Sequence, residues 1–143
     1  MSNIAKYKDH FVLLLEAGFI AVNQADEDAA TKLFHAAQVL NPESSLPRIG
    51  IGYLRFHKLE LGQAVEIFDQ VLANEPNNQM ALTFKGMCLS LTPNRTEEGE
   101  KMLKDIATKA ASDDVKDVAN STISFVDRFV KKTPSPAEIQ KKK

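Results

Sequence analysis

The chain has 143 residues, 43% apolar and 26% charged, with a formal net charge of -1. That supports one modest core, and the near balance of cations and anions excludes the broad basic footprint on which nucleic-acid binding depends. The single cysteine, Cys88, excludes an intramolecular disulfide and fits a reducing, cytoplasmic address.

From about Ile4 to Gln24, Tyr7, Phe11, Leu14, Leu15, Gly18 and Val22 recur at helical spacing, which predicts a first helix. The apolar block Phe11 to Leu15 is interrupted by Glu16 before it could serve as a signal core or a membrane span, so neither an export signal nor a membrane anchor is expected. Ala25 to Asp28 reads as a turn that brings acidic residues to the start of a second helix, Asp28 to Leu40, closed by Asn41 and Pro42. Glu43, Ser44 and Ser45 can cap a third helix, Ser45 to His57.

A short connection, Lys58 to Gly62, leads to a fourth helix over Leu61 to Asn74, and antiparallel packing is expected. The fifth runs from about Asn78 to Leu91 and breaks at Thr92 to Arg95. Thr96 to Glu98 reads as the capped start of a sixth. Ser112 and Asp113 open a seventh, with Val115, Val118, Ala119, Thr122, Phe125, Val126, Phe129 and Val130 on one face, suited to capping the array. Residues 1–132 are thus expected to form one helical domain, and 133–143, with Pro134, Pro136 and three terminal lysines, a disordered tail.

A longer period underlies the helices. Counting back from Pro42, Phe34 lies eight positions earlier, Ala30 twelve and Gly18 twenty-four, and the same offsets from Pro76 give Phe68, Ala64 and Gly52. A thirty-four-residue period points to stacked helix pairs. Gly86 continues it, but Gly99, Leu103 and Ile106 fit only with one residue inserted in the preceding turn, which a turn absorbs cheaply. The glycines are expected where paired helices approach closely, with Phe34 and Phe68 wedged between neighbours.

On these residues, positions 11 to 107 resemble the tetratricopeptide repeat family. Leu14, Ala17, Gly18, Ala21, Ala30, Phe34, Ala37 and Pro42 match its pattern in a first repeat. Ile51, Gly52, Ala64, Phe68, Val71 and Pro76 match it in a second, and Leu82, Gly86 and Leu89 in a third. Arg48, Arg55 and Lys85 depart from it. The resemblance implies an all-α, right-handed solenoid of about three helix pairs plus a C-terminal capping helix.

It also implies a concave peptide-binding groove lined by the first helix of each pair. Projected here, the groove residues are Val12, Leu15, Phe19, Val22 and Asn23, then Leu46, Ile49, Tyr53, Phe56 and His57, then Met80, Thr83, Met87, Ser90 and Leu91. Such an apolar channel suits an amphipathic or hydrophobic helix, with Met80 and Met87 adaptable in shape. Relatives that grip the acidic C-termini of heat-shock chaperones need cationic donors where this chain has Leu15, Phe19, Gly50, Met80 and Phe84, so that role is not expected.

The whole is similar to the small tetratricopeptide chaperones of bacterial type III secretion, chlamydia-like relatives included. The similarity implies a cytoplasmic protein that holds a secreted subunit, the needle subunit above all, together with a small helical co-chaperone, and prevents premature assembly. A translocator chaperone, a generic protein-interaction scaffold and a homodimer are the alternatives.

Enzymatic readings find little to use. His10, His35 and His57 lie on different helices without metal spacing, and no cofactor is expected. Gly50 and Gly52 lack the rest of a phosphate loop. Glu97, Glu98 and Glu100 sit at a helix start, where acids complement the dipole, and Cys88 is expected as a buried, inert thiol.

Overall fold

The structure is a computed structural model that describes residues 2–109, with side chains from residue 10 onward. All of the regular structure there is helical. Six helices follow in order, α1 (Ser2–Asn23), α2 (Glu27–Leu40), α3 (Leu46–His57), α4 (Leu61–Asn74), α5 (Gln79–Ser90) and α6 (Thr96–Lys109), with no strand among the described residues. The expected seventh helix and the tail lie outside the described residues.

Local chemistry accounts for most boundaries. Asp26 Oδ1 accepts from the Ala29 amide at 3.1 Å and caps α2, and Asn78 Oδ1 accepts from Ala81 at 2.9 Å and caps α5. At α3 the cap differs from expectation: Ser45 makes no capping bond, and Ser44 Oγ instead accepts from the Leu46 amide at 3.2 Å. Thr96 does not cap α6 either. Its hydroxyl donates back to the Thr92 carbonyl at 3.4 Å, while Arg95 pairs with Glu98 at 3.0 Å across the first turn.

Helices adjacent in sequence pack on one another, and α1 also touches α3, as α3 touches α5. Two cores result. Phe11, Leu15, Val22, Ala30, Phe34 and Ala37 of α1 and α2 pack with Leu54 of α3, and Ile49, Ala64, Phe68 and Val71 of α3 and α4 pack with Ala81 and Cys88 of α5. Each fully buried aromatic ring contributes about 2 to 3 kcal/mol from apolar burial.

The sequence period is also a period of contacts. A Cβ on Gly18 would lie 2.5 Å from Phe34 Cε1, and one on Gly52 would lie 2.5 Å from Phe68 Cε1. The third copy of this contact is Gly86 with Leu103, seventeen residues apart instead of sixteen. The extra residue falls in the Leu91 to Arg95 turn, as the slipped register predicts. Gly99 takes the place of Ala30 and Ala64, because α5 and α6 cross so closely that a Cβ there would strike the Ser90 amide nitrogen.

A second periodic feature is invisible to side-chain patterning. Ala25, Leu59 and Asn94 all adopt left-handed backbone, with φ of 60°, 61° and 69°, at matching places in the three hairpin turns. Asparagine tolerates that geometry; alanine and leucine are strained by it. An ion-pair cluster braces the middle turn: Lys58 reaches Glu27 at 2.9 Å and Glu60 at 3.2 Å, and Arg55 holds Glu60 at 2.9 Å.

Candidate functional site

The odd-numbered helices share a face on which aromatic rings run continuously from one helix to the next. Phe34 meets Phe19 with centroids 5.2 Å apart, Phe19 meets Tyr53 at 5.4 Å, Tyr53 meets Phe84 at 5.2 Å, and Phe84 meets Phe68 at 5.8 Å. Phe34 and Phe68 are the buried ends of this ladder, whereas Phe19, Tyr53 and Phe84 are half-buried. The ladder therefore has an inner edge in the two cores and an outer edge toward solvent. Edge and tilted ring contacts of this kind add about 0.5 to 1.5 kcal/mol each beyond burial.

Tyr53 occupies the centre. Its ring also touches Phe56, at 6.4 Å, and His57, at 4.4 Å, and its hydroxyl donates to Asn23 Oδ1 at 2.8 Å. Partial burial raises the Tyr53 phenol above its ordinary pKa and lowers that of the His57 imidazole, so both are held in their neutral forms. A surface of rings and neutral polar groups results, with Asn23 and His57 exposed at its margin.

The eleven predicted groove residues divide. Val12 and Met80 are exposed, at 48% and 39%, and Phe19, Leu46, Tyr53, Phe56 and Met87 are half-buried, so these seven can meet a partner. Leu15, Val22, Ile49 and Thr83 are buried, at 7%, 2%, 0% and 3%, and cannot. Projection onto an isolated helix omits the next odd helix: Leu15 packs in the core that includes Leu54 of α3, and Ile49 in the one that includes Ala81 and Cys88 of α5. Leu15, Ile49 and Thr83 share one place in the period, so the correction is systematic. Ser90, at the place of Val22, is buried too, its hydroxyl donating to the Met87 carbonyl at 2.8 Å.

Phe84 belongs to the ladder although the projection omitted it from the groove. The available signal was its spacing, three residues before Met87 and therefore on the same helical face. Lys85, the apparent departure from the pattern, is held by Asp69 of α4 at 2.6 Å. Two hollows of about 400 and 410 Å³ lie away from the ladder, one between α5 and α6 beside Leu82, Met102 and Ile106, the other among Gln38, Arg48, Gln70 and Asn74.

Comparisons with family models, curated proteins and solved structures find no match. The geometry alone carries the functional argument. Burial pushes the Cys88 thiol up to about 12, which leaves it protonated and unreactive at neutral pH. Among the described residues no three metal-type side chains converge, and no helix is long and apolar enough to cross a membrane.

Proposed function

We propose that the chain is a tetratricopeptide-type array whose odd-helix face holds an amphipathic or hydrophobic helix of a partner protein, in the manner of a type III secretion chaperone for a needle-like subunit. The solenoid reading rests on the thirty-four-residue contact period, with Gly18 against Phe34, Gly52 against Phe68 and Gly86 against Leu103. The left-handed residues at Ala25, Leu59 and Asn94 repeat on the same period and support it. The odd-to-odd helix contacts are those a stacked array requires.

The observation that carries the binding reading is the ladder Phe19, Tyr53 and Phe84, which spans three helices and leaves its outer edge in solvent. Rings half-embedded in a rigid scaffold lose little conformational freedom on binding, and aromatic anchors dominate interface energetics. Val12, Met80 and Met87 add aliphatic and thioether surface along the same helices. Their chemistry suits the apolar stripe of a helix, and the neutral margin at Asn23 and His57 offers nothing to select a charged terminus.

Co-expression with a needle-type subunit tests this. A soluble stoichiometric complex is expected, and Val12→Glu combined with Met80→Glu should abolish it while the helical signal and melting temperature stay unchanged, because both side chains are exposed. A complex that survives both substitutions rules out this face as the binding site.

A further inference from the structure

Two places along the ladder face change chemistry at α5. Val12 and Leu46 precede Met80 at successive periods, and Phe19 and Tyr53 precede Met87, so α5 carries methionine where α1 and α3 carry aliphatic and aromatic side chains. Met80 is 39% exposed and Met87 half-buried. With Phe84 they fall at i, i+4 and i+7, so the two thioethers flank the last outer ring of the ladder on one side of the helix. A thioether packs as an apolar group, yet it is open to oxidation where the hydrocarbon side chains at the matching places are not. The remaining sulfurs among the described residues stand elsewhere: Met102 is half-buried on α6 beside a hollow away from the ladder, and Cys88 is fully buried.

We propose that Met80 and Met87 are an oxidative modification site, through which peroxide turns the α5 end of the ladder polar and loosens the partner held there. The inference rests on the ladder being the partner-binding face. In each reaction the thioether sulfur gives two electrons to the peroxide, the O–O bond breaks, one oxygen becomes the sulfoxide oxygen and the other leaves as water. The new oxygen is a hydrogen-bond acceptor, and the apolar stripe of a helix laid over it removes its water and returns no donor. Each covered sulfoxide is expected to weaken binding about tenfold. Val12, Phe19, Leu46 and Tyr53 on α1 and α3 carry no sulfur, so peroxide leaves that end of the face as it was. Reduction of the sulfoxides restores the thioethers, which makes the change reversible.

The test is to treat the full chain with hydrogen peroxide, locate the sulfoxides by peptide mass spectrometry, and titrate treated and untreated chain with a needle-type subunit. Oxidation at Met80 should run ahead of that at Met102, affinity should fall about tenfold for each modified methionine on α5, and methionine sulfoxide reductases should restore it. Met80→Leu with Met87→Leu should bind the subunit and keep its affinity after treatment. Because Met87 also packs against Leu103 and Ile106, Met87→Leu alone separates binding from folding. Once treated, that variant should keep its melting temperature and still bind more weakly, through Met80. Treated native chain that binds as tightly as untreated overturns the inference and leaves the ladder reading intact, as does a double leucine variant that loses as much affinity on treatment as the native chain. Native chain that binds no subunit before treatment overturns the ladder reading and this inference with it.

Discussion

The phenol of Tyr53 donates a 2.8 Å hydrogen bond to Oδ1 of Asn23, tying the middle of α3 to the last residue of α1. The bond fixes a ring that Phe19, Phe84 and His57 contact on three sides. Tyr53→Phe removes the bond and keeps the ring, so it should lower stability by about 1 kcal/mol. A urea titration with an unchanged slope and a lowered midpoint is the expected result.

The same phenol makes a pH prediction. Its folded pKa is raised above the ordinary value because burial disfavours the phenolate. A raised pKa means the stability contribution is complete below the unfolded value of about 10 and is lost as pH climbs through the folded value. Absorbance titration near the phenolate band should therefore show Tyr53 ionising later than an unstructured tyrosine, and the chain should lose stability in that alkaline range. Tyr53→Phe should flatten the loss.

Gly52 and Gly62 should respond oppositely to alanine. A Cβ at Gly52 would lie 2.5 Å from Phe68 Cε1, and Phe68 is fully buried with no room to withdraw, so Gly52→Ala should cost about 1 to 3 kcal/mol of overpacking. At Gly62 a Cβ meets nothing within 4 Å, so Gly62→Ala should stabilise α4 by up to about 1 kcal/mol. Thermal melts of the two variants should move in opposite directions.

Leu59 combines left-handed backbone, φ 61°, with 74% exposure. Leu59→Gly should relieve the strain and lose little packing, raising stability by about 1 kcal/mol. The denaturation midpoint reads the gain directly.

Much of the scaffold was legible because close packing leaves its mark on residue size. Gly18 and Gly52 are small since Phe34 and Phe68 are pressed against them, and the slip before Leu103 showed where the third turn is one residue longer. Gly50 was harder to read. A Cβ there would also strike the Phe34 ring, so Phe34 sits between α1 and α3, a relation that joins two helix pairs and leaves no trace within either. The left-handed turns were hidden because alanine and leucine stand where glycine would have announced them. The groove was half legible: helical spacing says which residues share a face, but Leu15 and Ile49 are lost to the seam with the next odd helix, and only the stacking of the helices decides that. Ile49→Glu would accordingly place an unpaired charge in the core and unfold the chain, which makes it unsuitable as a probe of binding.

A partner held on the ladder face must touch the chain at the margin of that face. A photo-activated cross-linking residue placed at His57 or at Met80, in chain co-expressed with a needle-type subunit, should label that subunit, while the same residue at the exposed Glu66 on α4 should not. Labelling from Glu66 with none from His57 or Met80 would contradict the claim that the ladder face is where the partner lies.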